Sequence, residues 1–477
     1  MEALIFGLLA FAALTGLRYA SARQIKDAHR QAAEKLGMVA QLGRTFETRE
    51  RIDGVLEGFD VRIESREGTE KKNSNKKVTC FEVDSGGLIP NTIKFSREGF
   101  GTTLGRIVGR GDLEVGDADF DRAVFIQGPS LILYAVLDAK TRSMLQRHIE
   151  EYDLSVGEGR ARAESTERVR RAEIIVGQIK SMAVLTERLC VRRRDEIPAR
   201  LRRNVESDPF HVIRGRCLSM LLEHYPDHDQ TALAAEVALQ DSEPEVRVLA
   251  AEALGAEGLP VLWSLVSDAR ATDEVRARAF SQWSAQNVAA TTQLEGVLQD
   301  LGPHIGKVPL LSAHLFRACL QLPPGDWSTL DALLGRLAPH VASEAAEALA
   351  HAVVHIAQPG QCTPTLLAVL SIEHLKTRLI AAEALGRLGD RRALAPLERC
   401  TQGLLTDGEL KRTARAAMEA IDAREAHVQL GGLSVVDECE REGALSFDER
   451  GKLSEIKAKR AADGTPAGVS TPKTPES

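Results

Sequence analysis

Apolar residues recur at helical spacing through the second half of the chain. Val246, Leu249, Ala250, Ala253 and Leu254 mark one face of a helix. The ten residues Val-Arg-Val-Leu-Ala-Ala-Glu-Ala-Leu-Gly at 246–255 return at 377–386 as Thr-Arg-Leu-Ile-Ala-Ala-Glu-Ala-Leu-Gly. Weaker copies stand at 213–218, 275–280, 309–317, 345–349 and 411–417. The spacing corresponds to about seven helical units of roughly 33 residues each. Small Ala residues let neighbouring helices approach, and Gly255 and Gly386 stand where helix stops belong. One helix pair cannot bury its apolar face alone, whereas a stack can. The pattern predicts a mainly α chain with an α-solenoid over 199–425.

These units resemble HEAT repeats of the short, lyase-type form, over close to half of the chain. In that family an acid ahead of the second helix and an Arg near its start form ladders between repeats. Asp208 with Arg214 and Asp241 with Arg247 match that placement. Asp273 with Arg276 is more closely spaced, and Ile372 stands where Arg378 would need its acid. The resemblance implies a structural role for Asp208, Arg214, Asp241, Arg247, Arg276 and Arg378.

The first half of the chain has a different texture. Residues 3–17 are an uncharged apolar run, slightly short of the roughly 17–25 residues that a spanning helix needs. Glu2 precedes the run, while Arg18, Arg23, Lys26 and Arg30 follow it. The positive-inside rule then predicts a retained transmembrane anchor over 1–22, with the bulk of the chain on the cytoplasmic side of an inner membrane. Ala20-Ser21-Ala22 offers the alternative of cleavage after Ala22 and a secreted or periplasmic chain, and a buried or peripheral helix is the third reading. Residues 23–43 read as a polar helical stalk.

Over 44–163 short alternating stretches at 54–63, 77–83 and 92–95, a closing strand at 154–162 and helical spacing at 131–149 predict a small α+β domain. The phrase Gly116-Asp117-Ala118-Asp119-Phe120-Asp121 reads as an exposed turn with Asp caps and Phe120 packed inward. Its acids are too sparse for calcium, which takes about six to eight oxygens. This segment resembles the N-terminal domain of bacterial membrane-anchored proteins, some of which carry HEAT repeats.

Residues 164–198 read as a bridging helix followed by a basic segment. Arg188, Arg192, Arg193, Arg194, Arg200, Arg202 and Arg203 are candidates for binding phosphate groups. No aromatics are interleaved for base stacking and the net charge is -7, which argues against nucleic acid as the partner. The tail 426–460 repeats a Gly-x-Leu-Ser phrase at 431–434 and 443–446 and reads as a short hairpin cap; 461–477 reads as disordered.

The seven Cys are scattered without a CxxC pair, and no His/Cys cluster has metal spacing. His351 and His355 share a helix face and read as a core or groove pair. There is no G-x-S-x-G elbow, P-loop or H-E-x-x-H, so no catalytic residue, cofactor or metal is assigned. The expected function is a membrane-anchored, non-catalytic scaffold that binds an unidentified protein partner through the solenoid surface, with the membrane held by 1–22. The alternatives are a groove-type enzyme or lyase on the repeats, or an anion-binding adaptor for lipid headgroups or nucleic acid.

Overall fold

The computed structural model describes residues 2–43, 50–67, 77–98, 113–286, 291–323, 325–358, 362–402 and 407–442; the side chains at 2–14, 17, 18, 67 and 427–442 are not described. The chain is mainly helical with one antiparallel sheet, and it divides into two compact units. One comprises Met1–Gly325 and His340–Ala348, the other Asp326–Pro339 and Leu349–Ser477. The expected disorder at 461–477 lies outside the described residues.

The first unit opens with α1 (Glu2–Leu36) and continues into a sheet built from β1 (Val39–Gln41), β2 (Arg51–Leu56), β3 (Phe59–Glu67), β4 (Lys77–Asp84), β5 (Lys94–Arg97), β6 (Val124–Gln127), β7 (Ser155–Gly157) and β8 (Arg160–Glu164). The strand order is β1-β2-β3-β4-β8-β7-β5-β6. Alternation puts Phe59, Val61 and Ile63 on the buried face of β3, where Ile63 pairs with Phe81 and Val61 with Val83. The stretch expected as one strand at 54–63 is a hairpin. Glu57 and Gly58 take positive φ of 53° and 86°, giving the two-residue turn whose twist suits antiparallel strands. Glu158 and Gly159 (φ 54° and 76°) turn the expected closing strand into a second such hairpin, β7–β8.

Four helices are woven into the sheet segment: α2 (Ala118–Ala123), α3 (Ser130–Val136), α4 (Ala139–Tyr152) and α5 (Ala172–Leu189). The helical spacing at 131–149 thus belongs to two helices, separated at Leu137 and Asp138. Asp138 accepts from the Thr141 backbone N–H at 2.8 Å and caps α4. The polar stalk expected at 23–43 is a packed element. Ile25, Ala28, His29, Ala32 and Ala33 of α1 are buried, and α1 lies along α5. Four of these five are small or polar, so the stripe carries little hydropathy while still filling the interface. Among the described residues no helix is long and apolar enough to cross a membrane.

His148 joins α4 to α5 inside the core. Its Nε2 lies 2.8 Å from Ser181 Oγ, and Gln178 Nε2 donates to its Nδ1 at 3.0 Å. That pattern fixes the neutral imidazole with its proton on Nε2. Burial, with Arg147 adding to it, pushes His148 down to about 4. The unfolded chain therefore binds the proton more tightly than the native one. Its contribution to stability is complete above the ordinary value near 6.5 and is lost as pH falls toward 4. An imidazole proton resonance that titrates near 4 is expected; a midpoint above 6 would mean that the ring is hydrated.

Beyond the sheet, α6 (Glu196–Ser207), α7 (His211–His224), α8 (Asp229–Ala238), α9 (Pro244–Ala253), α10 (Leu259–Ser267), α11 (Asp273–Gln286), α12 (Thr291–Leu301) and α13 (Pro309–Cys319) pack largely on near neighbours in sequence. The apolar core is continuous from Ala28 of α1 to Ala250 of α9, so the sheet and the first of these helices are not separate bodies. The second unit holds α14 (Ser328–Leu337), the end of α15 (Ser343–Ile356), α16 (Thr363–Leu370), α17 (Leu375–Leu388), α18 (Leu394–Gln402) and α19 (Gly408–Glu442).

All seven recurrent phrases fall on helices, namely α7, α9, α11, α13, α15, α17 and α19. Gly255 (φ 54°) follows the end of α9, as expected of a stop. Gly386 does not stop its helix. It is buried inside α17, where a Cβ would lie 2.9 Å from Ala417 Cα of α19. Its role is close helix approach. The expected hairpin at 431–434 lies within α19, and 443–446 falls outside the described residues.

Candidate functional site

The arginines of the recurrent phrases form joints between consecutive helix pairs. Arg214 of α7 grips Asp241 with two bonds of 2.7 Å, and its Nη1 donates to the Asp208 carbonyl at 3.0 Å. Arg247 of α9 donates to Asp268 Oδ2 at 2.7 Å. Each guanidinium thus takes the carboxylate that follows it in the chain, not the one that the phrase places before it. Asp241 and Asp268 also accept backbone N–H bonds from Glu243 and Arg270, which fix the turns ahead of α9 and α11. The backbone and side-chain bonds from Arg270, helped by Arg247, hold Asp268 down at about 2. Arg276 breaks the series by donating to the Val266 carbonyl at 2.8 Å. Arg378 lies 3.4 Å from Cys400 Sγ.

The rung before these comes from the sheet segment. Arg142 of α4 is 2% exposed and donates to both oxygens of Asp208, at 2.8 and 3.2 Å. It also donates to the Leu137 carbonyl at 2.8 Å and to Asp117 at 3.0 Å, and its Cζ lies 5.5 Å from the Phe210 ring centroid. Burial alone would lower its pKa; Asp208 and Asp117 keep it raised. Arg142 therefore holds Asp208 as Arg214 holds Asp241 and Arg247 holds Asp268.

The acidic phrase 116–121 serves this junction. Asp117 caps α2 through the Phe120 N–H and pairs with Arg142. Asp121 accepts the N–H groups of Val115 and Gly116, and Phe120 is buried. Gly116 has φ 102° and sits where a Cβ would lie 2.7 Å from Val212 Cγ1, so only glycine suits the contact with α7.

The basic segment does not converge as a set. Arg188 is bonded to Asp138 at 2.5 Å and to Thr141 at 2.9 Å. Arg192 pairs with Glu187, Arg200 with Glu196 and Arg202 with Glu206. Arg193, Arg194 and Arg203 have no ion-pair partner among the described residues. Arg188, Arg200 and Arg203 do line a cavity of about 210 Å³ together with Asp138, the partner of Arg188, and Glu187, the partner of Arg192.

The histidines expected in a core or groove are both exposed on α15, and His355 stacks on Trp327 at 5.8 Å. Two tryptophans that looked unrelated in sequence, Trp263 and Trp283, are neighbours with ring centroids 4.5 Å apart. Among the described residues no group of three His, Cys, Asp or Glu has the arrangement to hold a metal ion. Comparison with protein-family models, with curated proteins and with solved structures finds no match to this chain.

Proposed function

We propose that the chain is a membrane-anchored, non-catalytic scaffold in which a HEAT-type α-solenoid over 199–425 presents a surface to a protein partner. The observation that carries this reading is the row of joints Arg142–Asp208, Arg214–Asp241 and Arg247–Asp268. These charged groups pair with one another along the helix stack and fix its geometry; they do not converge on a cleft. The anion-binding alternative keeps only Arg193, Arg194 and Arg203 without ion-pair partners among the described residues. On α8, Leu233 and Val237 lie one turn apart and are 39% and 47% exposed, while Ala234, Ala235 and Ala238 face inward. Paired apolar side chains of this kind act as anchors in protein interfaces. The anchor at the cytoplasmic membrane would be the apolar run 3–17, which α1 joins to the sheet without an intervening linker.

A photocrosslinking residue placed at Leu233 or Val237 in the full-length chain is expected to give one discrete protein adduct in cells. The same probe at Glu257, exposed in the turn between α9 and α10, is expected to give none. Identical patterns at both positions would sink the scaffold reading. Deletion of 2–22 is expected to move the protein from washed membranes to the soluble fraction; no change in partition would remove the anchor.

A further inference from the structure

An open groove of about 410 Å³ lies between α1 and the start of α5. Ala20, Arg23, Asp27 and Gln31 line it from α1, and their spacing of three and four residues sets them on one face. Arg170 and Arg171 line it from the segment directly ahead of α5. Arg23, Arg170 and Arg171 are exposed and have no ion-pair partner among the described residues. The two acids in the wall are already engaged, Asp27 with Arg30 and Glu173 with Lys35 at 2.6 Å. Arg171 holds the cap position of α5 without a side-chain bond to its first N–H groups, so the positive end of that helix faces the groove as well. Like charges gathered in this way repel one another, and each gains from an anion placed among them. No aromatic side chain lines the groove, so a nucleic-acid base finds no stacking platform.

The place of the groove along α1 narrows the choice of anion. The helix is unbroken from Glu2 to Leu36. The apolar run ends at Leu17, and Arg23 follows about 9 Å further along the axis. The headgroup layer beside a bilayer core is about 5–8 Å deep, and long basic side chains reach back into it. Tyr19, 60% exposed, stands between the run and the groove, where interfacial tyrosines collect.

We propose that this groove binds the phosphate of an anionic phospholipid headgroup. Arg23, Arg170 and Arg171 supply charge-assisted bonds to the phosphate oxygens, and α1 holds the groove at the membrane surface. The site lies outside the basic segment 188–203 and is made by the packing of α1 against α5. The choice of a lipid rests on the anchor reading; the preference of the groove for an anion does not.

The test is calorimetric titration of the full-length chain, held in neutral detergent micelles, with dioctanoyl phosphatidylglycerol, dioctanoyl phosphatidylcholine and inorganic phosphate. Phosphatidylglycerol is expected to bind, inorganic phosphate more weakly and phosphatidylcholine far more weakly, and added salt should weaken the binding. Arg170→Gln and Arg171→Gln should each cost about fivefold and together about 25-fold, the size of one and two charges beside an anionic membrane. Arg193→Gln with Arg194→Gln removes the same charge from outside the groove and should leave binding unchanged. All four arginines are exposed, so both double variants should keep the unfolding midpoint of the parent, which separates lost binding from lost fold. Phosphatidylcholine binding as well as phosphatidylglycerol, or the Arg170/Arg171 double variant binding as well as the parent, overturns the proposal. An equal loss in the two double variants overturns the groove as the site. Inorganic phosphate binding as tightly as phosphatidylglycerol overturns a lipid as the source. The anchor is judged separately: a full-length chain that washes off membranes removes it, while the headgroup preference in micelles still decides the groove.

Discussion

Arg142→Met is expected to destabilise the first unit by about 3–5 kcal/mol, because it strands a buried carboxylate. The Asp208 side chain is 1% exposed and its two oxygens are held by Arg142. The methionine fills much of the space but offers no donor. The double variant Arg142→Met with Asp208→Asn is expected to recover a large part of the loss, since the stranded charge is then gone. Urea unfolding followed by far-ultraviolet circular dichroism reads both variants. A loss below about 1 kcal/mol for the single variant would show that Asp208 is hydrated and the pair is peripheral, as surface pairs are.

Gly258→Ala should be nearly as damaging for a different reason. A Cβ there would lie 2.0 Å from the Ala251 carbonyl oxygen, and the obstacle is backbone that cannot rotate away. The expected cost is about 3 kcal/mol, at the upper end of overpacking. Gly296→Ala in α12 is the matched control: nothing lies within 4 Å of its Cβ, and helix propensity predicts a gain of about 0.5–1 kcal/mol. Emission from Trp263, on the helix that follows Gly258, and from Trp283 beside it reports the difference. Equal midpoints for the two variants would mean that the turn into α10 relaxes freely.

Helical periodicity was easy to read because Ala- and Leu-rich phrases repeat with their period intact, and all seven fall on helices. The sheet segment was legible as α+β, but its hairpins were not resolved. Alternation runs straight through Glu57-Gly58 and Glu158-Gly159, and neither pair is the Asn-Gly that advertises a two-residue turn. The packed face of α1 was missed because Ala28, Ala32 and Ala33 are small and His29 is polar. Of the arginines expected in the ladder, Arg214 and Arg247 bond carboxylates, while Arg276 bonds a backbone carbonyl and Arg378 a thiol. A local phrase places Asp208 beside Arg214, whereas three-dimensional packing hands Asp208 to Arg142, 66 positions earlier. In the second unit a cavity of about 250 Å³ joins Trp327, Ile356 and Thr365 across three helices, and no short window of sequence holds them together.

The Arg142–Asp208 joint also bears on self-association. A row of alike units has two ends, and each bare end presents a surface that matches the opposite end of another molecule. Such a match is head-to-tail and does not close, so it leads to filaments. Here the sheet segment supplies its own arginine to the first carboxylate of the row and shares one core with the helices behind it. That terminus is occupied by the chain itself, and a second molecule finds no vacant rung there on which to grow.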